Sequence, residues 1–164
     1  MERQDTGFLL NPNNIKLQRE YFEQMCRTIG IFVIHRAPRP DKTYNGYGEL
    51  DSFYYEPTRT GCIFDEHPTI WTMRKMGWNS ELQESESIIH VPYDLKGLQN
   101  GSLFVVPSGI DDSVGRLFRV TRMSTIAVYP ASIACVIAPI WHSEFDDSQL
   151  SHVDNDFSLL KAED

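Results

Sequence analysis

Apolar residues fall mostly in short runs separated by turn formers, and in one stretch they recur at helical spacing. That stretch is Asn13 to Gly30. Asn13 or Asn14 can cap it, Phe22, Met25, Cys26 and Ile29 share one face, and Gly30 is placed to end it. A helix with one apolar face predicts packing on a sheet. The run Ile31-Phe32-Val33-Ile34 follows at once as a strand, which Ala37-Pro38-Arg39-Pro40 should stop because proline has no amide to donate to a ladder.

From Asp41 to Thr60 glycines, turn formers and tyrosines alternate with no stable period, which predicts a long exposed loop. Gly61-Cys62-Ile63-Phe64 reads as a short strand. Pro68 to Met76 reads as a short helix ended by Gly77. Four β-like runs follow: Ser87 to Val91, Ser102 to Val106, Arg116 to Met123 and Ser132 to Ala138. Asn100-Gly101, Pro107-Ser108-Gly109 and Tyr129-Pro130 divide them. Strands at this spacing predict a mainly β fold, a small antiparallel β-barrel or sandwich with one N-terminal helix. Phe104, Val106, Leu117, Phe118, Val120, Ile133 and Val136 are expected to line a single core.

With 164 residues, 41% hydrophobic and 23% charged, the chain matches one globular domain, taken as residues 1–142. The remainder, 143–164, is an acidic C-terminal tail: seven acids stand against Lys161, so most of the net charge of −8 lies there. It carries no capping or turn logic and is expected to extend and to order on a partner. No apolar run approaches the roughly 20 residues a membrane helix needs, and the polar opening Met1-Glu2-Arg3-Gln4-Asp5 is unlike a signal peptide. These features predict a soluble protein made in the cytoplasm, with no membrane partner. Cys26, Cys62 and Cys135 are odd in number and widely spaced, and read as core thiols.

Five histidines, His35, His67, His90, His142 and His152, fall in no recognisable catalytic constellation. The glycines of Tyr44-Asn45-Gly46-Tyr47-Gly48 lack the strand-before, helix-after context of a phosphate loop. Asp65-Glu66-His67 is the densest set of possible metal ligands, but adjacent residues in an extended chain face opposite sides. No catalytic residue, metal or other cofactor is therefore expected, and the chain reads as a non-enzyme. Tyrosines on a long loop give contact area at low entropy cost. The interface candidates are Tyr44, Tyr47, Tyr54 and Tyr55 with Glu49 and the flanking Arg36 and Arg39. The same loop could instead simply cover a sheet edge. His35, Arg36, Arg39, Lys42, Tyr44 and Tyr47 also suit single-strand nucleic-acid binding by stacking, although the overall acidity opposes tight phosphate contact.

One order of motifs extends from about Tyr44 to Trp141. It holds Tyr47-Gly48-Glu49, Gly61-Cys62-Ile63-Phe64-Asp65-Glu66, Met76-Gly77-Trp78 and Ile89-His90-Val91-Pro92-Tyr93-Asp94. It continues through Gly101-Ser102-Leu103-Phe104-Val105-Val106-Pro107-Ser108-Gly109, Gly115-Arg116-Leu117-Phe118-Arg119-Val120 and Tyr129-Pro130-Ala131-Ser132-Ile133. This order resembles the head-completion (head-closure, neck) proteins of tailed bacteriophages, in particular those with contractile tails. The resemblance implies a homo-oligomeric ring in the neck of the virion, docked between the portal or adaptor and the tail or tail-terminator proteins. Its loops would meet neighbouring subunits and constrict a channel that DNA crosses without specific binding; no cofactor is implied. A tail-terminator or neck-adaptor protein is the alternative within that class. A nucleic-acid-binding barrel and an enzyme with a site assembled from scattered residues are the alternatives outside it.

Overall fold

The computed structural model describes residues 11–44, 50–65, 67–78, 85–107, 115–124 and 131–140, with backbone alone for 40–44, 50–53 and Lys75. Helix α1 spans Pro12–Ile29. It begins earlier than Asn13 because Asn11 is the cap: its Oδ1 accepts from the Asn13 amide at 3.0 Å, and Pro12 occupies the first helical position, where a missing N–H costs nothing. Ile15, Phe22, Met25 and Cys26 are half-buried toward the barrel. Ile29, expected on that face, is 64% exposed, because the chain turns into β1 one residue later.

Eight strands follow among the described residues. They are β1 (Ile31–Arg36), β2 (Pro38–Tyr44), β3 (Leu50–Tyr54), β4 (Thr58–Asp65), β5 (Ser87–Pro92), β6 (Leu103–Pro107), β7 (Gly115–Met123) and β8 (Ser132–Pro139). Six close into an antiparallel barrel in the order β1-β4-β5-β8-β7-β6, with β1 joining β6 through Ile34 opposite Val105. The fold is thus mainly β, a closed barrel with one main N-terminal helix. Closure pairs every strand on both sides and leaves the barrel no open edge.

The stretch expected to be a loop over 41–60 is instead a hairpin of β2 and β3 followed by the start of β4. The prolines that should have stopped the sheet lie within β2. They are tolerated because β2 pairs with β3 alone, and the register shifts between Pro38 and Thr43 and again at Tyr44, so the missing amides fall where no ladder needs them.

Alternation along the strands sorts the apolar residues into an inside and an outside. The interior holds Val33, Cys62, Ile89, Val91, Phe104, Val106, Phe118, Val120, Cys135 and Ile137, with Ile133 packed against them. Leu117 and Val136, expected in that one core, belong to separate clusters on the outer wall. Leu117 joins Ile34, Leu103 and Val105 beneath Tyr54 and Ile140. Val136 joins Ile88 and Ala134 beneath Met73 and Trp78.

Those last two side chains come from α2 (Ile70–Lys75) and its exit. Thr69 caps the helix, its hydroxyl accepting from the Thr72 amide at 3.2 Å. At the other end Gly77, at φ 81°, lets its own amide reach the Arg74 carbonyl and the Trp78 amide reach the Met73 carbonyl, both at 3.0 Å. This left-handed cap brings Trp78 back onto Met73, and the pair seals the outer wall of β5 and β8.

Phe118 is 6% exposed and stands edge-on to Phe64 at 6.0 Å inside the barrel. Phe118→Ala is expected to lower unfolding free energy by about 3–5 kcal/mol, the usual cost of emptying a buried phenylalanine. Denaturant titration with an unchanged slope checks it.

Candidate functional site

The hairpin is anchored to the barrel at its base. Ala37 is buried between β1 and β2, and its carbonyl accepts from the Tyr55 amide at 2.8 Å. Tyr54 and Tyr55 follow each other out of β3 and so point to opposite sides. Tyr54 covers the outer apolar cluster of Ile34, Leu103, Val105 and Leu117. Burial pushes its phenol pKa up, while the charge of Arg119 and a hydrogen bond from it pull the other way. Tyr55 is 48% exposed, with the Arg36 guanidinium donating to its carbonyl at 3.3 Å and Arg39 lying 5.2 Å from its ring centroid.

Of the seven interface candidates, the fold therefore brings together Arg36, Arg39, Tyr54 and Tyr55. Tyr44 pairs with Leu50 through its backbone, and Tyr47 and Glu49 lie outside the described residues. Two arginines that sequence reasoning left out join the same wall. Arg59 sits opposite Ile34 in the β1–β4 ladder and stacks on Phe32 at 4.1 Å; Arg119 sits opposite Leu103 in the β6–β7 ladder. Only strand pairing brings them here, so nothing local in the sequence marks them.

The chain matches no protein-family model and no curated protein.

The other candidate chemistry is dispersed. The Asp65 carboxylate accepts from the His67 amide at 3.2 Å, which closes a turn. Among the described residues no three His, Cys, Asp or Glu side chains are grouped to hold a metal ion. Cys62 and Cys135 are fully buried in the barrel, and burial pushes both thiols up to about 12, away from reactivity. Cys26 is half-buried against Gly61, its pKa raised by burial and by Glu23. His90 faces the outer wall of β5; burial lowers its pKa and Asp65 partly opposes this.

His35 was a candidate for nucleic-acid stacking, but it is 1% exposed and cannot serve an exposed surface. The alternation that sends Ile34 outward sends His35 into the barrel, where its ring lies 5.1 Å from that of Phe104. Its Nε2 has no hydrogen-bond partner among the described residues. Desolvation lowers its pKa from 6.5 to about 4.

A histidine held neutral in the folded state contributes stability that is full above its unfolded pKa and is lost as pH falls toward the folded one. Unfolding free energy should accordingly drop by about 3 kcal/mol between pH 6.5 and pH 4 through His35 alone, at roughly 1.4 kcal/mol per pKa unit. Chemical denaturation at several pH values, with His35→Leu as the comparison, checks this: the variant should lack that part of the acid sensitivity.

Proposed function

We propose that this chain is a structural subunit of an oligomeric ring, and that the ring is the head-completion (neck) assembly of a tailed bacteriophage. The observation that carries the subunit reading is the amount of large apolar surface left open on the two helices. Leu17 and Tyr21 stand one turn apart on the outward face of α1, each 64% exposed; Ile70 and Trp71 of α2 are 54% and 65% exposed. Single exposed apolars are ordinary, but two such pairs suit surfaces that other subunits cover. The closed barrel itself offers no strand edge for pairing, so contacts made by the barrel run through side chains, and the hairpin base supplies a second, arginine- and tyrosine-bearing surface. Two chemically different surfaces are what a head-to-tail ring uses.

The assignment to the phage neck rests on the order of motifs between Tyr44 and Trp141, which is consistent with a small barrel bearing projecting elements. In that reading the subunit joins portal or adaptor to tail or tail-terminator proteins in the virion, after synthesis in the host cytoplasm, and performs no catalysis. No helix among the described residues is long and apolar enough to cross a membrane. A tail-terminator or neck-adaptor would use the same surfaces at another level of the virion. The grouping of Arg36, Arg39 and Tyr55 favours a second reading, a barrel that binds single-stranded nucleic acid by stacking.

Trp71→Ser combined with Tyr21→Ser should leave the melting temperature nearly unchanged and abolish ring formation in native mass spectrometry with the neighbouring virion proteins. Deleting Tyr44 to Gly48 should likewise leave the barrel folded while stopping heads from joining tails, scored by electron microscopy of the particles. Normal particle yield with both variants overturns the neck reading; tight single-stranded DNA binding by the wild-type chain, lost in Arg39→Ala, establishes the second.

A further inference from the structure

The barrel is assembled from two halves of the chain. β1 and β4 precede α2, whereas β5, β6, β7 and β8 follow it, so strand pairing joins the halves at two seams, β1 with β6 and β4 with β5. Both seams are short. Among the described residues β1 meets β6 through Ile34 with Val105, His35 with Phe104 and Arg36 with Leu103, and β4 meets β5 through Ile63 with His90, Phe64 with Ile89 and Asp65 with Ile88. Inside the second half the ladders run longer: β5 and β8 pair without a break from Ser87 with Ile137 to Pro92 with Ser132. Of the buried apolar side chains described in the interior, Val33 and Cys62 come from the first half and the rest from the second.

Each seam holds a histidine, and the two are placed differently. His35 points into the barrel at the β1–β6 seam, 1% exposed, with its Nε2 lacking a hydrogen-bond partner among the described residues. A proton on that nitrogen puts a full charge into the apolar interior. Nothing described there offsets it. Thr58 and Phe104 stand opposite His35, and the titratable groups that share the interior are the thiols of Cys62 and Cys135. Arg36, Arg59 and Arg119, on the outer face of the same wall, carry the same sign as a protonated ring. Asp94 and Lys96 flank Leu95, which packs on the interior, but both are exposed. Burial accordingly keeps the His35 ring neutral far below its usual pKa.

His90 lies at the β4–β5 seam on the outer face, between Ile63 of β4 and Ala134 of β8. Asp65, two residues along the same ladder, is the charge that acts on it among the described residues, and it favours the protonated ring against the cost of burial. Covers cross both seams: Tyr54 lies over β1, β6 and β7, and α1 lies over β4 and the exit of β5, where Arg19 stacks on Tyr93 at 3.4 Å. The histidines therefore make the seams unequal.

We propose that the barrel is an acid-operated clasp: protonation of His35 opens it along the β1–β6 seam, while the β4–β5 seam, where Asp65 attracts a charged His90, holds as the hinge. The opened form is a six-strand sheet in the order β1-β4-β5-β8-β7-β6, with free edges at β1 and β6. A free edge is a surface to which another chain can add a strand, and the closed barrel has none. The device belongs to the single chain and stands whether or not subunits form a ring.

The test is hydrogen exchange of the full-length chain, read amide by amide from pH 7 to pH 4 and corrected for the intrinsic pH dependence of exchange. The closed form is fully favoured above the usual histidine pKa of 6.5 and loses ground as pH falls toward the folded value of about 4. Amides bonded across the seam in Ile34 to Arg36 and Leu103 to Val105 should thus lose protection roughly 100-fold by pH 4, while those between β4 and β5 and between β5 and β8 lose far less. His35→Leu should abolish the loss at the β1–β6 seam. Asp65→Asn, whose amide oxygen can still accept from the His67 amide, should extend the loss to β4–β5. Protection lost together in all six strands, or earlier at β4–β5 than at β1–β6, overturns the proposal, as does an undiminished loss in a folded His35→Leu protein. If that variant does not fold, the order of loss in the wild-type chain decides alone.

Discussion

Closure of the six-strand barrel is the constraint on which everything else depends. Ile34 must meet Val105 for β1 to join β6, and once it does, each strand has one face sealed inside and one face outside. Among the described residues, ten buried apolar side chains and His35 fill the interior, but the outer wall is apolar too at Ile34, Leu103, Val105 and Leu117, and again at Ile88 and Val136. A bare barrel of this sequence would leave both patches wet. The accessory elements cover them: Tyr54 of the hairpin and Ile140 on one side, Met73 and Trp78 on the other. At about 25 cal/mol per Å² of apolar surface removed from water, such covers belong to the stability of the fold and not to its decoration.

The covers also determine what the surface can do. Tyr54 is committed to the barrel, so the neighbouring Tyr55 faces out, and Arg36 and Arg39 gather around it. On the helix side Phe22, Met25 and Cys26 are committed inward, which leaves Leu17 and Tyr21 pointing away. The two surfaces differ in chemistry because the residues that remain after covering the barrel differ.

The late strands were legible almost to the residue, because Ser87 to Val91, Ser102 to Val106, Arg116 to Met123 and Ser132 to Ala138 are apolar runs bounded by turn formers, and local composition settles their extent. What escaped was the difference between inside and outside. Leu117 and Phe118 are adjacent and equally apolar, since both faces of β7 are covered, and a strand buried on both faces loses the alternation that would tell them apart. The hairpin escaped for a related reason: β2 pairs on one side only and shifts register, so Pro38-Arg39-Pro40 carries no strand signature. Within the site, Arg36, Arg39, Tyr54 and Tyr55 were visible through their closeness in sequence, whereas Arg59, Arg119 and Phe32 reach it by pairing between strands distant in the chain. His35, a member of the candidate stacking patch, stands instead on the inner face of β1, a position that depends on closure.

Between α1 and β1 there is one residue, Gly30. A methyl group there would lie 2.6 Å from the Cys62 carbonyl oxygen, so helix and sheet touch at the closest distance a backbone permits. The junction consequently has no slack in length or rotation. Each residue added to a helix turns what precedes it by about 100° and moves it about 1.5 Å. A single insertion at Gly30 would therefore swing Phe22, Met25 and Cys26 off the barrel and bring a polar flank of α1 onto it. For anyone grafting, circularly permuting or lengthening this chain, the helix and the barrel behind it are one indivisible part.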